Sequence, residues 1–422
     1  MNLLYSLPFW PYLYTPWLFR EMAWMLGRGH RIAVLSLGDP PGPAADLKDF
    51  GLQDVPVLQV RSQFSSDQQL LKNLVTLPVG AWRAKPSRSL SAMRLKSGMR
   101  QGIHEWATIK RVVAFVRQHK IDVIEAHWAA HSAMMAREIM LATGIPYSVR
   151  MHGGDLHKNP SPALQQIVES AAAVCPVSRF LSDLLLGERP FAHLPLVPKI
   201  SFDLKKLHIC HNGVPGDTIE TEPAPQSDAV QIVGTIGRLD GEKHHADLIE
   251  ALGMLRDKHT GLRLKIIGGG VLEQELRDKA KALGVADRVE ITGALSWEQV
   301  IEHRRQLHIY AHVSQMEGCS LAVAEGMARG VPAILTKVGA AVDSIEEGGN
   351  GWTVNVGDVA GIASALDRVV NAGAKGRVEM GRVSLRVIRE RFQFEVQLAR
   401  IEAILQSIQH HSRHQPQNPG RD

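Results

Sequence analysis

Two carboxylates stand eight residues apart in Glu317-Gly-Cys-Ser-Leu-Ala-Val-Ala-Glu325, which runs on into Gly-Met-Ala-Arg-Gly-Val-Pro-Ala-Ile. Leu307 to Val313 before them reads as a buried strand. Leu321 to Arg329 reads as a helix closed by Gly330 and Pro332. The backbone N–H groups of Gly318, Cys319, Ser320 and Leu321 then lie at a helix N-terminus, where anions, phosphate above all, are attracted. Glu325 lies about two turns on, within roughly 80° of Glu317 at ~100° per residue. Carboxylates facing a phosphate would repel it, so the pair suits hydroxyls: a sugar on one side of a diphosphate and a ribose on the other. The spacing also fits a helix with one acid at its start and one on its solvated face, and spacing alone does not separate these readings.

Other groups that could do chemistry fall at strand ends. Ile232-Val-Gly-Thr-Ile-Gly-Arg238 is a strand running into a loop, with Lys243 just beyond it. Two cations there suit a diphosphate, Arg as a fork and Lys as a point charge, or are simply surface charges. Ile266-Ile-Gly-Gly-Gly270 is a second strand end, where Gly268 and Gly270 would let a nucleotide approach the backbone. Arg150-Met-His-Gly-Gly-Asp155 is a third, with His152 and Asp155 facing the expected cleft.

These positions need scaffolding. A chain of 422 residues suggests two to three domains, and 45% apolar with 22% charged residues fits a globular protein with large cores. Strand and helix patterns alternate, which implies parallel sheets. Strands are expected at Arg31–Leu37, Val57–Val60, Val123–Ala126, Tyr147–Met151 and Ala173–Val177, with helices at Thr15–Arg28, Ile109–Gln118 and Ala130–Thr143. A second series follows: strands from Val230, Leu262, Val289 and Pro332, with helices between, and a turn at Asn350-Gly351. The division is residues 1–212 as an N-terminal Rossmann-like domain and 213–228 as a linker. Residues 229–390 form a second Rossmann-like domain, 391–409 a closing helix packing back on the first, and 410–422 a disordered tail. Ligands in such folds bind outside the carboxyl ends of the strands.

Charge and cysteine usage narrow the class. The net charge is +5, yet residues 82–111 hold eight Lys or Arg (Arg83, Lys85, Arg88, Arg94, Lys96, Arg100, Lys110, Arg111) against Glu105, so that stretch carries +7 and the rest −2. Leu95, Met99, Ile103 and Trp106 recur there at helical spacing. Such a helix can lie on an anionic membrane surface, or place its stripe in the core and its cations in water. No aromatic platform accompanies the charges, which argues against nucleic acid. Cys175, Cys210 and Cys319 show no disulfide or metal pattern, and the first residues lack the form of a signal peptide, so a cytoplasmic protein is expected. No stretch reaches the ~20 apolar residues that cross a bilayer.

Taken together, the residues resemble glycosyltransferase family 4, retaining nucleotide-sugar transferases of the two-Rossmann-domain GT-B fold. The motifs that carry the likeness are Gly237-Arg238-Leu239 with Lys243, Ile266-Ile-Gly268, Val289-Glu-Ile-Thr-Gly293 and the Glu317/Glu325 stretch. Trp10-Pro-Tyr-Leu-Tyr-Thr-Pro-Trp-Leu-Phe-Arg-Glu21 and Glu125-Ala-His-Trp-Ala-Ala-His131 are similar to exopolysaccharide, colanic-acid-type members. The resemblance implies that Arg238 and Lys243 bind the donor diphosphate, Glu325 the ribose, and Glu317 with Gly318 to Leu321 the sugar and distal phosphate. It implies that Gly268, Gly270 and Thr292 line the base pocket and that His152 meets the donor sugar near the reacting carbon. Asp155, Tyr14 and Thr15 fall to the acceptor side. Tyr14, Thr15 and Pro16 stand where many members carry Gly-Gly, and His244 stands where glycine is frequent. The implied activity is transfer from a UDP- or GDP-sugar to a saccharide or polyprenyl-diphosphate-linked acceptor, with no metal and no cofactor. A GT-B epimerase and an inactive nucleotide-sugar-binding subunit are the alternatives.

Overall fold

A computed structural model of the chain describes residues 1–12, 15–60, 99–157, 161, 163–188 and 199–414. Two compact units are resolved: Met1–Pro176 with Asp183–Cys210 and Leu398–Asp422, and Val177–Ser182 with His211–Gln397. Each is built on one six-stranded sheet.

The first sheet comprises β1 (Asn2–Leu7), β2 (Arg31–Ser36), β3 (Val57–Gln59), β4 (Val123–His127), β5 (Tyr147–Met151) and β6 (Ala173–Pro176), in the order β3-β2-β1-β4-β5-β6. Every pairing is parallel. β1, β4, β5 and β6 are buried almost throughout, as expected for strands covered by helices on both faces. The sequence reading passed over β1 because Asn2–Leu7 offers no period-2 alternation. Its buried run is short, and such runs are ambiguous without neighbours.

The second sheet comprises β7 (Gln231–Ile236), β8 (Leu262–Ile267), β9 (Val289–Ile291), β10 (Ile309–His312), β11 (Ala333–Thr336) and β12 (Gly351–Val354), in the order β12-β11-β10-β7-β8-β9. It too is parallel. Both orders are the doubly wound arrangement, whose winding reverses between β1 and β4 in one sheet and between β7 and β10 in the other. Loops leaving those strands at their carboxyl ends diverge and open a crevice. The two-domain α/β expectation therefore holds.

Three boundaries differ from expectation. The segment 213–228 is no free linker but part of the second unit. Fully buried Arg377 binds Gln226 Oε1 at 3.0 Å, the Ser227 carbonyl at 2.7 Å and Asp228 Oδ1 at 2.9 Å, which fastens the segment down. Val177–Ser182 also belongs to that unit, where the Arg179 N–H donates to Asp343 Oδ2 at 2.8 Å. The last helix is Phe394–His414, so it continues into the stretch expected to be disordered. Residues 61–98, which hold most of the basic segment, lie outside the described residues, as does Tyr14. Met99–Gln118 is one helix, and in it Lys110, counted above among solvated cations, is fully buried. Among the described residues no helix is long and apolar enough to cross a membrane.

One glycine fixes how the helix Leu321–Met327 sits on β10. A Cβ on Gly326 would fall 2.4 Å from the ring of Tyr310, which is fully buried. Only the absent side chain lets the helix approach this closely. Gly326→Ala is expected to destabilise the protein by about 1–3 kcal/mol through overpacking. A denaturant titration in which the midpoint is unchanged would contradict this packing.

Candidate functional site

The second unit brings Lys243 and Glu317 together at its reversal point. Lys243 lies on the loop leaving β7 and Glu317 on the loop leaving β10. Lys243 Nζ donates to Glu317 Oε1 at 2.5 Å. The same oxygen is 2.8 Å from His312 Nε2, and His312 in turn neighbours Ser314 Oγ at 3.0 Å and the Tyr310 hydroxyl at 3.4 Å. Burial alone would raise the Glu317 carboxyl, but the His312 contact and the Lys243 charge outweigh it and hold the group at about 2. Glu317 is thus a half-buried, ionised acceptor. His312, at the end of a fully buried strand, escaped the sequence reading; a histidine closing an apolar run was the available signal.

Around this pair the loop is pinned from both sides. Asn212 Nδ2 donates to the Cys319 carbonyl at 3.3 Å, and Cys319 Sγ lies 3.6 Å from the Asn212 carbonyl. Burial pushes the Cys319 thiol up to about 12, so it is inert packing. A Cβ on Gly339, whose φ is +56°, would come within 2.7 Å of the Glu317 carbonyl, so the 338–341 loop rests on the Glu317 main chain. The N–H groups of Gly318, Cys319, Ser320 and Leu321 meet no acceptor among the described residues. Ser320 occupies the N-cap position without a side-chain cap, and with Glu317 and His312 it lines a cavity of about 10 Å³. Glu325 is half-buried on the following helix, its carbonyl accepting from Arg304 at 3.1 Å. The charges of Glu325 and Glu317 both add to burial in raising the Tyr310 hydroxyl, which places that ring within reach of the two acids.

Arg238 is oriented differently. Its side chain is 71% exposed and pairs with Asp240 at 2.9 Å and Glu242 at 3.6 Å. It therefore sits on the same loop as Lys243 but outside the Lys243–Glu317–His312 triad. His244 carries φ +52°, a left-handed backbone that favours glycine. The glycine run is spent on chain packing: a Cβ on Gly268 would strike the Gly237 carbonyl at 2.0 Å, and one on Gly270 the Leu239 carbonyl at 2.5 Å. Thr292 Oγ1 accepts from Gly268 N–H at 3.2 Å and donates to the Gly293 carbonyl at 2.9 Å. Gly268, Gly270 and Thr292 thus form one loop cluster.

In the first unit the reversal point holds a buried polar network that sequence reasoning quoted but did not assemble. Arg150 Nη2 donates to Glu125 Oε1 at 2.9 Å, and Nη1 lies 3.5 Å from Glu21 Oε2. The Tyr5 hydroxyl donates to Glu21 Oε1 at 3.1 Å, and Ser148 Oγ donates to Glu125. All five are buried. The legible signal was a charge inside each of two apolar strands, since a buried charge requires a partner. Glu21, Glu125 and His127 have the spacing of metal ligands, but Arg150 already supplies the cation between the two acids. His152 ends this network. Burial, with His127 and Arg150 nearby, pushes its imidazole well below the ordinary value and keeps it neutral. Asp155 Oδ2 accepts the His152 backbone N–H at 2.7 Å, yet burial outweighs that bond and raises its carboxyl to about 7. Thr15, at the start of the helix Pro16–Gly27, spends its hydroxyl on the Tyr12 carbonyl at 2.8 Å.

Comparison with known proteins follows this division. Residues 14–197 match the model described as "Glycosyl transferase 4-like domain", and residues 219–383 the model described as "Glycosyl transferases group 1". A GDP-mannose-dependent alpha-(1-6)-phosphatidylinositol monomannoside mannosyltransferase of Mycobacterium tuberculosis is 25% identical over 289 residues, 63% of this chain and 73% of that protein. The Vi polysaccharide biosynthesis protein VipC/TviE of Salmonella typhi is 22% identical over 68% of this chain and 51% of its own length. Among solved structures, a glycosyltransferase from Rickettsia africae superposes with a TM-score of 0.70 at 16% identity, covering 96% of this chain and 98% of that one. Anabaena HepE in complex with UDP gives 0.68 at 17% identity, covering 96% and 100%.

The Glu317 carboxyl is depressed on folding, so its stabilisation is complete above its ordinary value of 4.5 and is lost as pH falls toward about 2. Relative to Glu317→Gln, the wild type should gain on the order of 3 kcal/mol across that window. Denaturant unfolding of both proteins from pH 2 to 6 measures it; a constant difference throughout would contradict the ionised triad.

Proposed function

Because the chain belongs to the GT-B glycosyltransferases, with a glycosyl transferase 4-like domain preceding a group 1 domain, we propose that it is a retaining enzyme of cell-surface polysaccharide synthesis. It moves a sugar from a UDP- or GDP-sugar to a saccharide or lipid-linked saccharide acceptor. The observation that carries this is the Lys243–Glu317–His312 triad at the point where the second sheet reverses, beside N–H groups without protein acceptors.

In this reading a diphosphate oxygen takes up the Lys243 ammonium, and Arg238 turns from Asp240 to the same anion. Glu317 accepts from a hydroxyl of the donor sugar, and Glu325 from the ribose. Gly268, Gly270 and Thr292 border the base. His152 serves the sugar near the reacting carbon, with Asp155 and the 14–15 loop on the acceptor side. The acceptor oxygen bonds to the anomeric carbon on the face from which the phosphate oxygen leaves, and that phosphate oxygen receives the acceptor's proton. The protein's part is positioning and stabilisation of the leaving charge. The acceptor's lipid would be met at the inner face of the cell membrane by the basic segment 82–111. The mannosyltransferase and Vi relatives support glycolipid or polysaccharide acceptors by their names.

Nucleotide sugars at saturating concentration should raise the melting temperature by mass action. Lys243→Ala should abolish most of that shift and lower nucleoside-diphosphate release by about 100-fold, the typical worth of one charge-stabilising donor. Wild-type response and turnover in that variant would overturn the donor site. Release without any acceptor would favour the epimerase, and no release the inactive subunit. Flotation with anionic liposomes at low salt tests the basic segment, and protein left at the bottom of the gradient removes the membrane proposal.

A further inference from the structure

At the amino ends of β1 and β2, on the edge of the first sheet opposite the carboxyl ends, lies a cavity of about 520 Å³ that the proposed transfer does not use. Its volume is in the range of pockets that take small organic ligands. Its walls come from the turn before β2, the loop 51–56 before β3 and the end of the helix Met99–Gln118. The floor is apolar: Ile32, Ala33 and Ile121 are buried there, and Val55 and Pro56 half-buried. Arg31 and Lys120 line the same cavity and are exposed. We propose that it binds a small organic anion, a phosphate monoester on an apolar body, held through its phosphate by Lys120 and Arg31.

The backbone at Lys120 shows that this side chain is kept for its head group. The helix Met99–Gln118 ends in a left-handed turn, with Lys120 at φ +51°. The Lys120 N–H donates to the Arg117 carbonyl and the Ile121 N–H to the Val116 carbonyl, both at 3.1 Å. Three other helix ends close with the same pair of bonds, and in each the left-handed residue is a glycine: Gly29, Gly187 and Gly284. Glycine takes that conformation without the clash a Cβ makes with the neighbouring carbonyl. At residue 120 the clash is tolerated and the side chain retained, and strained residues of this kind gather at ligand clamps. A cation there also meets the negative end of the helix dipole, but Arg117 in the last turn already serves that purpose.

The two cations are neighbours through one residue. Asn2 stands opposite Arg31 in the register of β1 and β2, and its Nδ2 donates to the Lys120 carbonyl at 2.7 Å. Among the described residues neither the Arg31 guanidinium nor the Lys120 ammonium meets an acceptor. Nearby acids are engaged elsewhere: Glu402 with Arg28 at 3.2 Å and with His30 at 2.7 Å, and Asp122 with the Asn2 N–H at 2.9 Å. Asp54 is the one acid in the lining, so two cations face one carboxylate. Arg as a fork and Lys as a point charge suit a phosphate. A bare inorganic ion would leave the apolar floor wet, whereas an apolar group on the phosphate would cover it.

Phenyl phosphate is the probe, titrated by calorimetry into the full chain and into Lys243→Ala, which lacks the cation of the proposed donor site. Saturable binding with the same Kd in both is expected, and a soaked crystal should show the phosphate beside Lys120 and Arg31 and the ring over Ile32 and Pro56. Lys120→Gly and Arg31→Gln should each weaken binding about tenfold, the worth of one charge-assisted hydrogen bond, and Asp54→Asn should tighten it. Lys120→Gly should unfold at the same or a higher denaturant concentration, so that lost binding is not lost folding. Phenol and inorganic phosphate, each half of the probe, should bind at least about tenfold more weakly. No saturable binding, an unchanged Kd in Lys120→Gly, or loss of binding in Lys243→Ala would overturn the site. Inorganic phosphate or phenol binding as tightly as the probe would overturn the ligand class. Phosphatidic acid vesicles should not displace the probe, because their acyl chains stay in the bilayer; displacement would overturn a small soluble ligand. None of these readouts passes through sugar transfer, so failure of the transferase reading leaves them intact.

Discussion

A half-buried carboxylate kept ionised is the constraint on which the second unit is organised. Glu317 lies between Lys243 and His312, and each of the three comes from a different place in the chain: the loop after β7, the end of β10 and the loop after β10. Removing either partner would leave a half-buried charge with one counter-group fewer, which destabilises the loop. That penalty explains the close packing around the triad. Gly339 and Gly326 surrender their side chains so that a loop can rest on the Glu317 main chain and a helix can press on Tyr310. The result is a packed-in carboxylate beside backbone donors that meet no acceptor among the described residues.

The first unit solves the same topological position with different electrostatics. There, too, charged groups gather where the sheet order reverses, but Arg150 neutralises Glu21 and Glu125 within the interior. The network ends at His152, which burial keeps neutral. The second unit carries its cations, Lys243 and Arg238, on the loop after β7, each paired with a carboxylate. The two reversal points thus differ in charge: an ion pair in the second unit, a neutral imidazole beside a neutralised pair of acids in the first.

Much of this was legible because strand ends are visible in sequence. Lys243, Glu317 and His152 each follow an apolar run closed by glycine or a loop, and a parallel sheet places such ends together. The partners were less visible. His312, Arg150 and Glu125 sit inside strands, where a single polar residue does not disturb the apolar pattern, and their pairing depends on registers that only the sheet order fixes. Glu21 lies on the buried face of its helix, which its charge does not announce in the sequence. The segment 213–228 resembled a linker from its prolines and acids, because its anchor, Arg377, is remote in sequence. Lys110 showed the opposite error: counted with its neighbours as a solvated cation, it is turned into the core by the phase of its helix.

A crystal structure of the protein with an intact nucleoside-diphosphate sugar tests the central claim most directly. The account predicts diphosphate density beside the 318–321 loop, a phosphate oxygen within hydrogen-bond distance of Lys243 Nζ, and Glu317 facing a sugar hydroxyl. Ordered density for the diphosphate elsewhere, with Lys243 and Glu317 still paired only to each other, would contradict it.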